Sequence, residues 1–370
     1  MKKFLIIAFV SGLVGFTKSA NTCWSTSYGY PCCEDTCSPT TTDEKGKWGI
    51  ENDNWCGINE EKCTESSCWS LPEKKPKEVI QQPEKPTQTI KPTQPTQNSQ
   101  PVQSTPMQFF LPSSDSQQLS DMDKPAIEVY LPNKDIANGC AVVLCPGGGM
   151  RVLSWDSDVK EMASFLNAHG IAAIGLRYHL NKAGAQGQMP PTVDVTHPDN
   201  FPKADANPLH DEHGDAVIEM AGKDGRAALR MIREHANEWN IDSKKIGYLG
   251  FSAGGGVAIQ ASMTASDDSE RPNFIITNFG PSLMPVTVPA NAPPLLIMSR
   301  VEHPNVAAGL VALFMEWKKA GANAELHLFG DGSGPYTLMQ ETGETTTETW
   351  SRQCLSWLKA KNFIPKNLSI

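Results

Sequence analysis

From residue 107 to the C-terminus the chain alternates short apolar runs with longer stretches in which apolar residues recur at helical spacing. Ala141-Val142-Val143-Leu144-Cys145, Ile171-Ala172-Ala173-Ile174-Gly175-Leu176, Lys245-Ile246-Gly247-Tyr248-Leu249, Pro294-Leu295-Leu296-Ile297-Met298 and Ala324-Glu325-Leu326-His327-Leu328-Phe329 read as strands. Continuous apolar runs of this kind suit strands covered on both faces, and their alternation with helical segments predicts an α/β fold with a mostly parallel sheet between helix layers. Helices are predicted around Asp224–Ala236 and from Gly255 to Ala261. Between Leu176 and Asp224 lie about forty residues rich in Pro, Asn, Asp and His. A connection so long is usually functional, and here it reads as an insertion that covers the cleft.

Upstream the pattern changes three times. Residues 1–20 carry Lys2-Lys3, an apolar run from Phe4 to Phe16 and small residues at Thr17, Ser19 and Ala20, the layout of a secretory signal peptide. That run is too short to span a membrane, so export is expected rather than anchoring. Residues 21–69 hold seven of the ten cysteines and no histidine, which excludes a mixed Cys/His zinc site there. So short a segment cannot fold on apolar burial alone, and a disulfide framework is expected, with one cysteine over. Residues 70–106 repeat Pro-Thr-Gln at 86–88, 92–94 and 95–97 and read as an extended, solvated tether. The fourth segment, 107–370, is the α/β domain. A formal charge of −9 and a pI near 5.4 leave no basic stripe for a nucleic-acid partner.

The α/β segment carries one strong chemical motif. Gly250-Phe251-Ser252-Ala253-Gly254 sits between a predicted strand and a predicted helix, where the glycines permit the sharp turn of a nucleophile elbow. About a hundred residues earlier, Pro146-Gly147-Gly148-Gly149 follows another strand; the N–H groups of Gly148 and Gly149, with that of Ala253, could form an oxyanion hole. The histidine base should follow in the chain, and only His303 and His327 do. His327 lies inside a strand pattern and is expected in the core. The loop after it, Gly330-Asp331-Gly332-Ser333-Gly334-Pro335, contains no histidine. In the long insertion, His210-Asp211-Glu212-His213 resembles a metal spacing, but no further spaced ligand accompanies it, so no metal is assigned.

Cys145-Pro146-Gly147-Gly148-Gly149, Gly250–Gly255, Ala292-Pro293-Pro294-Leu295 and Ala324–Leu328 resemble the α/β-hydrolase family that includes acetyl xylan and feruloyl esterases. The resemblance implies an α/β-hydrolase fold, a Ser252 nucleophile, an acyl-enzyme route and no cofactor. Relatives usually carry Asp-Asp-Pro where this chain has Glu302-His303-Pro304, and Gly-His-Gly-Phe where it has Gly332-Ser333-Gly334-Pro335. The acid position thus holds His303, or Glu302 with a one-residue shift, and the base position holds Ser333. Three readings stay open: His303 as base, oriented by Glu302 or Asp331; a base from His197, His210 or His213; or an inactive domain that binds polysaccharide or fills a scaffold position.

Cys23-Trp24-Ser25, Gly29-Tyr30-Pro31-Cys32-Cys33, Asp43–Asn52 and Trp55-Cys56-Gly57-Ile58 resemble the dockerins of anaerobic gut fungi, a group related to a cellulose-binding module family. That resemblance implies docking on the cohesin of a scaffoldin in an extracellular cellulosome, with plant cell-wall polysaccharide as the shared target. Trp24, Tyr30, Trp48 and Trp55 are the candidate partner-binding residues, although so small a module should bury at least one of the three tryptophans.

Overall fold

Five of the eight strands of the larger sheet are built from the apolar runs, and the central runs split their side chains between two separate cores. In the computed structural model the described residues are 23–28, 31–33, 41–43, 46–51, 54–59, 106–112, 119–120, 123–181, 204–207, 215–303 and 306–370. The signal-peptide and tether segments, Tyr30, Cys37, Cys63, Cys68 and the histidines of the long insertion lie outside them. The chain divides into two units, Met1–Ile90 and Lys91–Ile370.

In the first unit, β1 (Thr41–Asp43), β2 (Gly46–Glu51) and β3 (Asn54–Gly57) form an antiparallel three-stranded sheet. Disulfides Cys23–Cys32 and Cys33–Cys56 staple it, as the cysteine density predicts. The Trp24 ring meets Trp48 edge-on at 4.6 Å, and its indole N–H donates to Ile58 O at 3.1 Å. Trp48 is buried beside Cys33, Cys56 and Ile58.

The second unit contains β4 (Met107–Phe110), β5 (Ala126–Tyr130), β6 (Ala141–Cys145), β7 (Ala172–Arg177), β8 (Ile246–Phe251), β9 (Ile275–Asn278), β10 (Leu295–Glu302) and β11 (Ala324–Ser333). They form one eight-stranded sheet in the order β11-β10-β9-β8-β6-β7-β5-β4. All neighbours from β7 to β11 are parallel, while β5 runs antiparallel to both β7 and β4. In β8, Ile246 and Tyr248 face one core, with α2 (Asp215–Glu234), α3 (Ala253–Met263) and α4 (Ala307–Lys319); Leu249 and Phe251 face the other, with α1 (Met162–Ala168) and α5 (Trp350–Ala360). Helices therefore cover both faces, as the apolar runs require. Among the described residues no helix is long and apolar enough to cross a membrane.

Three expectations need correction. The helix predicted from Asp224 begins at Asp215, because Ile218 and Ala221 extend its buried face into what reads as insertion. β11 continues through Gly330-Asp331-Gly332 to Ser333, held by pairing with β10 despite its glycines. His327 is not a core residue: β11 is an edge strand, and His327 stands about one-third exposed with Nε2 at 2.8 Å from Glu325 Oε1. Cys140, Cys145 and Cys354 are buried free thiols.

Candidate active site

Ser252 caps the turn from β8 into α3 with φ 50° and ψ −124°, a strained backbone for a residue with a side chain. The strain is held by packing that only glycine permits. A Cβ on Gly254 would lie 2.0 Å from Cys145 O, and one on Gly250 would lie 2.5 Å from Gly254 O. Ser252 N–H donates to Asn278 O at 3.0 Å and Ser252 O accepts from Gly255 N–H at 2.9 Å, so its backbone is fully engaged. Its Oγ makes no hydrogen bond to a side chain among the described residues.

Facing the elbow, the end of β6 turns through Pro146–Gly149, with positive φ at Gly148 (126°) and Gly149 (61°). Arg151 N–H and Val152 N–H fold back onto Gly148 O, and Ser154 N–H onto Gly147 O. Among the described residues the N–H groups of Gly148, Gly149 and Ala253 have no protein acceptor, which is the state an oxyanion hole requires before substrate arrives. Two further contacts pin this loop: Tyr178 O–H donates to Pro146 O at 2.6 Å, and Asn181 N–H to Met150 O at 2.7 Å.

The relay side is built differently. Glu302 ends β10 in register with Ser333 of β11, so the two positions where an acid and a base are expected do lie side by side. They stand two and three strands from Ser252, about 10 and 14 Å across the sheet at the usual strand spacing. Glu302 is exposed; the His303 ring stacks on Phe279 with centroids 5.8 Å apart. Phe279, at φ 41°, also meets Tyr336 edge-on at 4.8 Å. Arg300 lies over the Tyr336 ring at 5.5 Å and donates to Pro335 O at 3.2 Å. Asp331 accepts from the backbone and hydroxyl groups of Thr346 and Thr347. Burial works upward on its carboxyl, but the Thr347 and Thr346 bonds outweigh it and hold the pKa down to about 2. Asp331 therefore fastens a loop and is not turned toward a histidine.

Two polar groups near the site escape sequence reading. Asp158, 6 % exposed, accepts Gly147 N–H at 2.8 Å; burial pushes its carboxyl up to about 6 against the pull of that bond and of Ser157. Its signal was an acid in register with Met162 and Leu166, on the apolar stripe of its helix. His179, directly after Tyr178, has Nδ1 at 2.7 Å from Asp224 Oδ2, and the pair is buried. It ties the exit of β7 to α2 across 45 residues of chain, a contact no local pattern announces.

Comparison with known proteins bears on the fold. An acetyl ester-xyloside bifunctional hydrolase from Caldicellulosiruptor lactoaceticus superposes with a TM-score of 0.52 at 20 % identity, covering 72 % of this chain and 100 % of that one. The fold is that of the α/β-hydrolases. Residues 181–282 match the BD-FAE family, and residues 22–58 match a family of cellulose or protein binding domains. An acetylxylan esterase of Xylanibacter ruminicola is 30 % identical over 158 residues, 43 % of this chain and 25 % of that enzyme. Endoglucanase B of Neocallimastix patriciarum is 55 % identical over 52 residues, 14 % of this chain and 11 % of that protein. The matched stretches thus span a quarter or less of these relatives' own lengths.

Within this α/β-hydrolase frame Gly147, which precedes Gly148 and Gly149, packs against the elbow: a Cβ there would lie 3.2 Å from Ser252 Cβ. Glu302, His303 and Ser333 gather at a second locus on the same edge of the sheet, where only the backbone of Ser333 is described. In the small unit, Trp48 is spent on the core and Trp24 on its contacts with Trp48 and Ile58, while Trp55 is placed only by its pairing with Ile50 on β2.

Proposed function

We propose that the α/β-hydrolase domain is a serine esterase acting on ester-linked acetyl or hydroxycinnamoyl groups of plant cell-wall xylan, and that the small N-terminal module docks it on the scaffoldin of an extracellular fungal complex. The observation that carries the esterase reading is the strained Ser252 turn packed against Gly147 at the head of the glycine run. In the reaction, Ser252 Oγ attacks the ester carbonyl carbon, the carbonyl oxygen takes up negative charge against the N–H groups of Gly148, Gly149 and Ala253, and expulsion of the sugar hydroxyl leaves an acyl-serine that water hydrolyses. No step needs a cofactor. His303, at the end of β10, is the base this reading uses, with Glu302 as its neighbour. The acetylxylan esterase likeness supports the substrate class, and the endoglucanase likeness supports a delivery module shared with other wall-active proteins.

The absence of a described side-chain partner on Ser252 Oγ favours a second reading, a polysaccharide binder without turnover. Without a base only the oxyanion hole and binding remain, roughly 10³–10⁴ over water. Acetate release from acetylated xylan, and hydrolysis of an activated acetate ester, by the full chain and by Ser252→Ala separate the two. Equal rates sink the esterase; retained binding to insoluble xylan would then establish the binder.

A further inference from the structure

The glycine loop is fastened from beneath by a single carboxylate. Asp158 stands in the π-helical turn Asp156–Glu161 that leads into α1. One of its oxygens accepts Gly147 N–H at 2.8 Å and the other accepts Ser157 Oγ–H at 2.8 Å. Gly147 is the point where this anchor and the nucleophile meet: a Cβ built there would lie 3.2 Å from Ser252 Cβ and 3.3 Å from Asp158 Oδ2. The carboxylate therefore sits immediately behind the serine turn. It consumes the first N–H of the glycine run and leaves those of Gly148 and Gly149 open.

From this geometry we infer that Asp158 is a positioning residue, which holds Gly147 and thereby aims the Gly148 and Gly149 N–H groups at the oxyanion formed on Ser252. Three glycines in a row have large backbone freedom, and a hole that must reorganise at each turnover loses the benefit of fixed dipoles. Tyr178 holds the same loop only through Pro146 O, and the internal bonds to Gly147 O and Gly148 O fix carbonyls. Gly147 N–H to Asp158 is the bond that fixes the loop by an N–H, and an ionised acceptor makes it stronger than a neutral one. The kinetic consequence rests on the esterase reading; the anchoring does not.

The test compares the full-length protein with Asp158→Ala and Asp158→Asn by three readouts: hydrogen exchange of the peptide covering residues 145–154, labelling of Ser252 by a fluorophosphonate, and kcat and KM on an activated acetate ester. In D158A, loop exchange should rise about tenfold, the worth of one charge-assisted bond. Labelling and kcat should fall about 10- to 100-fold with KM within about twofold, as expected for a group that serves the transition state. D158N keeps an acceptor and the volume, so it should recover most of each loss. Unchanged loop exchange in D158A overturns the proposal, as does a loosened loop with unchanged labelling and kcat. If D158A does not fold, Asp158→Val, which fills the site without an acceptor for Gly147 N–H, carries the comparison, and loop exchange identical to wild type overturns the proposal. A wild-type chain that neither labels nor turns over refutes the esterase instead, and the exchange comparison still decides the anchor.

Discussion

At the ends of β6 and β8 the site is made of backbone, whereas at the ends of β10 and β11 it would have to be made of side chains, and the two halves differ in what holds them. On the first side Ser252 N–H, Gly147 N–H, Pro146 O and Met150 O each have a fixed partner, and the contacts of Gly250 and Gly254 leave no room for another residue. On the second side Arg300, Asp331 and Phe279 hold loops and rings together, while Glu302 points to solvent. A catalytic element built from backbone geometry cannot be altered without disturbing the fold. One carried on a side chain at a strand end can be exchanged with little cost to stability. The elbow therefore reports the architecture, and on the proposed esterase reading the relay positions would set the rate.

The largest effect should come from breaking the committed half. Gly254→Ala puts a methyl group 2.0 Å from Cys145 O, a backbone atom of the central sheet that cannot move aside. We expect destabilisation above about 3 kcal/mol, visible as loss of the thermal transition or of soluble protein. A variant that melts with wild type would show that β6 and the elbow are not packed this closely. Next, Ser252→Ala should leave the fold intact and lower ester hydrolysis about 10³-fold or more if the serine is acylated. Its thermal midpoint should equal or exceed wild type, since alanine keeps no hydroxyl to desolvate beside the turn.

How much of this was legible in the sequence follows the same division. Ser252 and the glycine run were readable because a sharp turn and a close backbone approach demand glycine at fixed spacing. β6, β7, β8, β10 and β11 were readable because a sheet covered on both faces needs unbroken apolar runs, whereas β4, β5 and β9 were not picked out. Asp158 was hidden, since an acid in a helical stretch reads as solvent-facing until its stripe is traced onto Met162 and Leu166. The His179–Asp224 pair was hidden by its 45-residue separation. The last turn of β11 was misread because glycine and aspartate weaken local strand propensity, and only pairing with Arg300 and Glu302 on β10 restores it.

Rebuilding the uncommitted half tests the comparison from the other direction. Glu302 pairs in register with position 333, so Ser333→His combined with His303→Asp sets a carboxylate and an imidazole side by side at the strand ends. If the elbow is competent and lacks only its relay, kcat on an activated ester should rise about 10²-fold or more, the usual contribution of a positioned general base. The gain should vanish when Ser252→Ala is added. No gain in the double variant would mean that Phe279 and Tyr336 hold these loops too far from the serine.

The smallest expected effect concerns the pH dependence of stability, where Asp158 and Asp331 should act in opposite senses. Asp158 has its carboxyl raised from 3.8 to about 6 by burial, with the charge of Glu161 adding to the rise and the Gly147 and Ser157 bonds opposing it; Tyr178, neutral across this range, faces it from the exit of β7. Between about pH 4 and 6 the folded state therefore binds a proton that the unfolded state has released, and this group favours folding increasingly as pH falls through that window. Asp331, held near 2, contributes stability above its ordinary value that is lost as pH falls from about 4 toward 2. Asp158→Asn should remove only the first effect. Relative to wild type, the variant should gain most at pH 7.5 and least at pH 4.5, a difference of up to about 3 kcal/mol, or several degrees in Tm. Parallel Tm curves from pH 4.5 to 7.5 would mean that the Asp158 carboxyl is not desolvated.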